Sequence, residues 1–393
     1  MTLLHCLRAS LPDPTSPTST LPLIALTSLT TLSLLHLTRL ALSAPALTTR
    51  GPTSTLLPRL SPAERSALPY PPDILPGGRD VDTPYGSIRV HEWGPEDGPK
   101  ILMVHGITTP CLALGGLAHG LVEKGYRVML FDLFGRGYSD TPTSLPHDLR
   151  LYTTQLLLVL SSSSLPWCVP GGFTLLGYSL GGGIASGFAS YFPHLVHKLI
   201  LLAPAGLIRP QHMSSRSKVL YCTGLIPERL LVWLCERRLL AGPMYAKENK
   251  APASVLDAEL PEKGEGIPNP LFAPLSQTRP HLTVPEAVQW QLRHHPGFVP
   301  AFLSCIRYAP ITGQQEIWER LRRGRTDEVL LVVGTEDPIV LPDEVREDAE
   351  GLLGRERVRY VEVGAAHDFV VTDVGEVVGA VVEFLEGGEG TVE

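Results

Sequence analysis

A serine, an aspartate and a histidine that lie far apart in the sequence are the residues best suited to chemistry. Ser179 lies in the segment 177–181 (GYSLG), directly after the apolar run 173–176 and before small residues that favour a helix. This G-x-S-x-G pattern between a strand and a helix is typical of a nucleophilic serine on a sharp turn. Glycines occupy the two positions where side chains would clash with that turn. An ordinary glycine-rich turn is the alternative, because a five-residue pattern also arises by chance.

The partners that a nucleophilic serine needs follow two later strands. A serine hydroxyl becomes a nucleophile when a base takes its proton, and an acid must orient that base. His367, the last histidine of the chain, follows the predicted strand 358–363, and Asp337 follows the apolar run 329–334. Ligands of open parallel sheets bind at the carboxyl ends of the strands, so we expect both side chains near Ser179.

Both partner residues have alternatives. His367 in an exposed loop, or Asp337 in a solvent-facing Asp-Pro turn, would take no part in chemistry. Glu336 and Asp368 are neighbouring carboxylates that compete with Asp337 for the role of the acid. The order serine, acid, histidine along the chain favours Ser179, Asp337 and His367 as nucleophile, acid and base.

Acyl transfer also needs hydrogen-bond donors for a developing oxyanion, and two backbone amides are candidates. The N–H of Leu180 follows the nucleophile at the start of a helix. The N–H of Ile107 lies in the loop after the apolar run 101–104. His105 in the same loop is an alternative base, but a histidine before a glycine here more often braces the loop by hydrogen bonding.

A further polar cluster lies in the segment 131–140 (FDLFGRGYSD). Asp132, Arg136 and Asp140 have the side chains of an acid/base site. A charged turn pinned by local hydrogen bonds is the favoured interpretation.

The elements that must position these residues alternate between strands and helices from about residue 81. Predicted strands cover 87–93, 101–105, 127–131, 173–178, 198–203, 329–334 and 358–363, and predicted helices cover 112–124, 148–160, 180–191, 343–353 and 374–385. This alternation predicts an α/β fold with a mostly parallel sheet flanked by helices. The core is expected over 81–204 and 324–388. The alternation breaks over 205–323, which predicts a mainly helical insertion between two strands.

The first 80 residues differ in kind from the rest. The segment 21–42 is rich in leucine but also in threonine and serine, and Arg39 interrupts it. About 20 apolar residues span a bilayer, so the segment is a marginal transmembrane candidate. A membrane anchor is favoured over a secretory signal peptide, a mitochondrial transit peptide or a disordered leader. The proline-, serine- and threonine-rich segment 43–80 is predicted to be a linker.

The overall composition limits the possible partners. The chain has 393 residues, 44% of them hydrophobic, which is enough for one large domain with an insertion or for two domains. Its formal net charge of −7 argues against nucleic acid as a partner. The six cysteines are scattered without a C-x-x-C pair, and the glycine run 181–183 lacks a phosphate-binding arrangement. No metal and no cofactor are expected, and the oligomeric state is not determined.

Five motifs in a fixed order resemble the α/β-hydrolase superfamily. They are HGITTP (105–110), FDLFGRGYSD (131–140), GYSLGG (177–182), GTEDPIV (334–340) and GAAHDF (364–369). The resemblance covers roughly 85–386 and is greatest to the lipase, esterase and meta-cleavage-product hydrolase branch with a serine nucleophile. Superfamily members that are epoxide hydrolases or dehalogenases carry aspartate at the elbow, so they are disfavoured. HGITTP departs from the HGGG run of many esterases.

The resemblance implies a role for each candidate residue. Ser179 would be the nucleophile, Asp337 the acid and His367 the base. Ile107 and Leu180 would form the oxyanion hole, and 205–323 would form a cap domain that is longer and richer in proline than common small caps.

We therefore expect a serine hydrolase that cleaves a carboxylic ester of an apolar or lipid-like substrate through an acyl-enzyme. An amidase, thioesterase, C–C bond hydrolase or perhydrolase would use the same residues. A receptor or scaffold without turnover is a further alternative, because fold does not imply function. Neither the substrate nor the side of a membrane that the domain would face follows from the sequence.

Overall fold

The computed structural model describes residues 17–42, 46–212, 226–240, 273–276 and 278–387. Helix α1 (Pro17–Leu42) belongs to a compact unit that ends at Ala46, and a second unit begins at Leu47. The predicted anchor 21–42 falls on α1. Among the described residues, no helix combines the length and the apolar character that a membrane crossing requires, and this includes α1.

The second unit is built on a sheet in which eight described strands follow one another in hydrogen-bonded order. The strands of the chain are β1 (Thr48–Thr49), β2 (Gly78–Thr83), β3 (Gly86–Trp93), β4 (Lys100–Val104), β5 (Arg127–Phe131), β6 (Thr141–Pro142), β7 (Phe173–Tyr178), β8 (Val196–Leu202), β9 (Val329–Gly334) and β10 (Val358–Val363). The sheet order is β10-β9-β8-β7-β4-β5-β3-β2, and β1 pairs separately with β6. Pairs from β10 to β5 are parallel, and β3 pairs antiparallel with β5 and β2. The predicted mostly parallel sheet is confirmed.

Helices flank this sheet, as expected when parallel strands are apolar on both sides. The described helices of the chain after α1 are α2 (Pro52–Thr55), α3 (Pro62–Ser66), α4 (Gly115–Glu123), α5 (Leu149–Ser161), α6 (Leu180–Tyr191), α7 (Glu228–Leu240), α8 (Val284–His294), α9 (Phe298–Tyr308), α10 (Gln315–Gly324), α11 (Pro342–Leu353), α12 (Phe369–Thr372) and α13 (Val374–Glu386). Every residue of β7 and β9 is buried. These two strands therefore form the centre of the core, and their carboxyl ends lead to Ser179 and Asp337.

The segment before β2 corrects an expectation. A linker was predicted over 43–80, but from Leu47 onward the chain packs on the sheet unit. Tyr70 is almost fully buried, and its carbonyl accepts a hydrogen bond from the Tyr138 hydroxyl. The Gly51 N–H donates to the buried carboxylate of Asp140 at 2.7 Å. Proline and serine content indicated a linker, whereas the buried aromatic ring and these bonds fix the segment in place.

The described part of 205–323 is mainly helical and contains α7 to α10. The ring of Trp290 on α8 lies 4.9 Å from the ring of Tyr70 and 5.0 Å from that of Tyr138. Helix α8 therefore packs directly on the loop that follows β5. The predicted cap also includes 213–225 and 241–272, which lie outside the described residues.

Candidate active site

Ser179 lies between β7 and α6 in a backbone conformation that residues with a side chain rarely adopt. Its φ is 54° and its ψ is −120°, in a region that only glycine enters freely. Hydrogen bonds hold this conformation: the Ser179 N–H donates to the Leu202 carbonyl at 2.9 Å, and the Ser179 carbonyl accepts from Ala205 N–H at 2.9 Å. Such strain persists where the surroundings enforce it, and it concentrates at functional sites.

The glycines on either side of Ser179 are required by close backbone contacts. A β-carbon on Gly177 would lie 2.3 Å from the Gly181 carbonyl oxygen, and one on Gly181 would lie 2.1 Å from the Val104 carbonyl oxygen. Neither contact can be relieved by rotating a side chain, because both oxygens belong to the backbone. The clash that the sequence predicted at these two positions is therefore present in the fold.

The side chains of Ser179, His367 and Asp337 form a continuous hydrogen-bonded chain. His367 Nε2 lies 3.1 Å from Ser179 Oγ, and His367 Nδ1 lies 2.6 Å from Asp337 Oδ2. The loops after β9 and β10 supply the acid and the histidine, so adjacent parallel strands bring the two together. The Nδ1–H donates to the carboxylate, which leaves the Nε2 lone pair facing the serine hydroxyl.

The backbone fixes the Asp337 carboxylate. Asp337 Oδ1 accepts hydrogen bonds from the N–H groups of Ile339 at 2.8 Å and Val340 at 2.9 Å, and the side chain is fully buried. The competing carboxylate of Glu336 belongs to an exposed residue. Asp368 is partly buried, and this burial raises the pKa of its carboxyl group. Of these carboxylates, Asp337 is the one whose hydrogen bond to the His367 ring places it in line with Ser179.

Tyr178 helps to position His367, a role that the sequence did not predict. Its hydroxyl donates to the His367 carbonyl at 3.0 Å, and the two rings lie 5.3 Å apart. Because Tyr178 precedes the serine, the elbow itself anchors the loop that carries His367. The variable second position of the G-x-S-x-G pattern gave no signal for this role.

The loop that carries Ile107 lies directly against Ser179. A β-carbon on Gly106 would come within 3.4 Å of the Ser179 β-carbon. In the part of the chain that the structure describes, neither the N–H of Ile107 nor that of Leu180 donates to another protein group. Both amides thus remain available to a bound oxygen atom beside the serine.

His105 braces this loop, as its position before glycine suggested. Its Nδ1 lies 2.8 Å from the Gly106 carbonyl oxygen, and its Nε2 accepts from the Leu133 N–H at 2.9 Å. The ring is fully buried, and desolvation lowers the pKa of His105 to about 3. A neutral ring whose two nitrogens are both engaged is not a base for Ser179.

The acidic groups of the segment 131–140 pin turns rather than face the serine. Asp132 accepts hydrogen bonds from the N–H groups of Cys111 and Tyr138, both at 2.9 Å. Asp140 accepts from the Ser87 N–H at 2.9 Å and pairs with Arg50 at 2.8 Å. The structure therefore supports the interpretation of this segment as a charged turn.

A groove of about 790 Å³ is lined by residues that follow the Ile107 loop and His367 in sequence, but Ser179 and His367 themselves are not among its lining residues. Its walls come from 73–76, 112–123, the described residues of 274–280, and 370–374. Leu112 and Ala113, shortly after the Ile107 loop, and Val370, three residues after His367, are among the apolar lining residues.

The family model of serine aminopeptidase S33 hydrolases matches residues 96–372, which is more than half of the chain. The chain belongs to this family of α/β-hydrolases. The resemblance that the five motifs indicated is thereby confirmed, and the match spans β4 to α12 and hence Ser179, Asp337 and His367.

Curated relatives match a shorter region. An uncharacterised protein of Mycobacterium tuberculosis is 34% identical over 137 residues, which is 35% of this chain and 38% of that protein. A serine hydrolase-like protein of Dictyostelium discoideum is 34% identical over 136 residues, 33% of this chain and 36% of that protein. A human serine hydrolase-like protein is 31% identical over 134 residues, 34% of this chain and 63% of that protein. The matched region thus spans less than two thirds of these relatives' own length.

Solved structures share the fold at low sequence identity. A bacterial membrane phospholipase A is 19% identical with a TM-score of 0.56, covering 94% of this chain and 99% of that chain. A meta-cleavage product hydrolase from Pseudomonas fluorescens is 19% identical with a TM-score of 0.53, covering 79% of this chain and 98% of that chain. The chain is therefore an α/β-hydrolase in fold as well as in family.

Proposed function

We propose that this hydrolase cleaves a carboxylic ester, with Ser179 as nucleophile, His367 as general base and Asp337 as the acid that orients it. The observation that carries this proposal is the hydrogen-bonded chain of the three side chains, with 3.1 Å from serine to histidine and 2.6 Å from histidine to aspartate. Family membership and the serine hydrolase-like relatives support it.

The reaction follows from the orientation of the histidine ring. His367 Nε2 takes the proton of Ser179 as the oxygen attacks the ester carbonyl carbon, and the buried Asp337 carboxylate stabilises the resulting imidazolium. When the tetrahedral intermediate collapses, the same Nε2 returns that proton to the departing alkoxide. A water molecule then repeats the sequence on the acyl-enzyme and releases the acid.

The amides of Ile107 and Leu180 are proposed to hold the oxyanion. Leu180 follows Ser179 and begins a helix, whose N-terminus favours negative charge. Ile107 follows Gly106, whose β-carbon position lies 3.4 Å from the Ser179 β-carbon. A preorganised donor of this kind lowers the barrier by roughly 3 kcal/mol in a site that excludes water.

The apolar groove between α4 and the segment 370–374 supports an apolar acyl or alcohol chain as part of the substrate. Its lining is dominated by leucine, isoleucine, valine and proline side chains, which favour a hydrocarbon chain through burial of apolar surface. We also propose that 205–323 acts as a cap over the site, since Trp290 on α8 packs on Tyr138 and Gln291 on the same helix donates to the Thr108 carbonyl in the Ile107 loop. An amide, a thioester or a C–C bond remains the alternative scissile bond.

Labelling with a fluorophosphonate tests the nucleophile directly. The full-length chain is expected to label, and Ser179→Ala and His367→Ala are expected to abolish labelling. Ser186→Ala is the matched control, because Ser186 is a buried serine of α6 that donates only to the Gly183 carbonyl among the described residues. This variant is expected to label like the unmutated chain.

Hydrolysis of p-nitrophenyl esters of increasing acyl length then tests the reaction and the groove. We expect turnover of long acyl chains that Ser179→Ala lacks. A folded, unmutated chain that neither labels nor turns over any ester would overturn the proposal and favour a receptor without turnover.

A further inference from the structure

Side chains hold successive carbonyls of the loop that carries the proposed oxyanion donor. Within 105–111, the Gly106 carbonyl accepts from His105 Nδ1 and the Ile107 carbonyl accepts from Arg136 Nε. A peptide unit is planar, so fixing a carbonyl fixes the N–H on the other side of the same bond. The Gly106 carbonyl and the Ile107 N–H share one peptide, so the loop's hydrogen bonds set the direction of that donor.

The next carbonyl is held from a distant part of the chain. Gln291, on α8 within the predicted cap, donates through Nε2 to the Thr108 carbonyl at 2.9 Å across 183 residues of sequence. Its Oε1 accepts from the Gly137 N–H at 2.9 Å. Gln291 is fully buried, and one side-chain amide therefore joins three parts: α8, the Ile107 loop and the turn after β5.

The side chain of Arg136, which holds the Ile107 carbonyl, also contacts the next helix, α9. The guanidinium of Arg136 stacks over the ring of Phe298 on α9 at 5.3 Å, and its Nη2 lies 3.5 Å from the sulfur of Cys305. Arg136 is almost fully buried. The side chain that holds the Ile107 carbonyl is itself held by the helical segment.

We propose that Gln291 is a positioning residue that makes the geometry of the Ile107 amide depend on the docking of α8. This inference rests on the proposed hydrolase activity, because it assigns the predicted cap a part in forming the oxyanion hole. The donor and acceptor of the Gln291 amide are both engaged, so a residue that lacks them removes the hydrogen bond to the Thr108 carbonyl. Loss of a buried hydrogen bond is unfavourable, and the loop is expected to shift in response.

The test compares two buried side chains that donate to carbonyls of distant segments. Arg325 is also buried, but it donates to the Val196 carbonyl at 2.7 Å and the His197 carbonyl at 2.9 Å, and not to the Ile107 loop. Gln291→Met is expected to lower kcat about 30-fold and to leave KM within about twofold, because an oxyanion donor acts in the transition state. Arg325→Met is expected to stay within about threefold of the unmutated kcat, since it changes no contact of the donor loop.

Three further measurements distinguish a role of Gln291 in positioning the Ile107 amide from a general loss of stability. Binding of a trifluoromethyl ketone, whose adduct carries an oxyanion, should weaken in Gln291→Met by the factor lost from kcat. Gln291→Glu retains an acceptor for the Gly137 N–H, and its ionised form lacks the donor to Thr108, so it should show the same loss at a pH where the carboxyl group is ionised. The loss should shrink at lower pH, because the protonated carboxyl group donates again. Hydrogen exchange should rise in a peptide spanning 105–111 and stay unchanged in one spanning 173–183.

Several outcomes would overturn the inference. They are equal losses of kcat in the two methionine variants, an unchanged kcat in both Gln291 variants, a loss confined to KM, or unchanged exchange in 105–111. An unmutated chain without esterase activity would overturn the proposed function instead, and the exchange measurement would still decide whether Gln291 holds the loop.

Discussion

The two backbone segments that meet at Ser179 are held by different forces. The elbow 177–181 is held by contact between backbones so close that a β-carbon at either glycine would lie within 2.3 Å of a carbonyl oxygen. The loop 105–111 is held by hydrogen bonds from its own His105 and from Arg136 and Gln291 on two other segments. Steric exclusion allows no intermediate state, whereas a net hydrogen bond contributes about 1 kcal/mol and can be lost singly. Substitutions in the elbow should therefore remove most of the activity at once, whereas substitutions in the loop should reduce the activity in steps.

The largest effect on activity is expected for Asp337→Asn, which changes the acid that bonds His367. The amide cannot hold the His367 ring with a protonated Nδ1, so Nε2 no longer accepts the serine proton. Catalysis should fall by about 10⁴ in kcat with the fold retained. Ester turnover and the melting temperature check this together, and activity within tenfold of the unmutated chain would contradict the proposed role.

The next effect tests the elbow itself, by Gly181→Ala. The new β-carbon would meet the Val104 carbonyl oxygen at 2.1 Å, so strand β4 or the turn must move. We expect a loss of fluorophosphonate labelling of about 10³-fold, in line with a misplaced nucleophile. Gly379→Ala is the matched control: this exposed glycine of α13 has open space around its β-carbon position, so the change should raise stability by up to about 1 kcal/mol.

A smaller effect is expected from the loop side, at His105→Phe. This change frees the Gly106 carbonyl and the Leu133 N–H, and we expect kcat to fall by roughly 10- to 100-fold. His295→Phe serves as the comparison, because His295 is also buried, and burial likewise lowers its pKa to about 4. His295 bonds the Ser139 carbonyl and the Gly297 N–H instead of the donor loop. Similar losses of kcat in both variants would show that the loop is not specially sensitive.

The smallest effect concerns acid stability and leaves catalysis unchanged. Burial lowers the pKa of His147 to about 3, and among the described residues neither ring nitrogen has a hydrogen-bond partner. The His147 ring therefore stays neutral in the folded protein, whereas the same ring in the unfolded chain takes up a proton below about pH 6.5. The free energy of unfolding therefore has its full value above about pH 6.5. It falls by up to about 1.4 kcal/mol per pH unit as the pH decreases toward the pKa of His147 in the folded protein.

His147→Leu should make the free energy of unfolding less dependent on pH, by the uptake of one proton, because it removes the buried imidazole. Urea unfolding at pH 7, 6, 5 and 4 measures the slope, with His197→Leu as an exposed control. An unchanged slope in His147→Leu would show that another buried histidine controls acid unfolding. Esterase activity at pH 7 should match that of the unmutated chain, in contrast to His105→Phe.

The sequence by itself determined what depends on neighbours in the chain. The buried runs that became β7 and β9 have predicted bounds that agree with the structure. The nucleophile turn was predictable for the same reason, since the steric need for glycine is local. Asp337 and His367 followed from one further rule, that parallel strands end at the same edge of a sheet.

Only the tertiary structure decided what depends on contacts between distant segments. Composition predicted a linker over 43–80, yet Tyr70 is buried against the turn after β5. The bond from Gln291 to the Thr108 carbonyl joins residues with no shared pattern, because a single side-chain hydrogen bond leaves no periodic trace in a sequence. The turn at Ser179 is thus specified by short-range sterics, and the loop with the proposed oxyanion donor is specified by long-range packing.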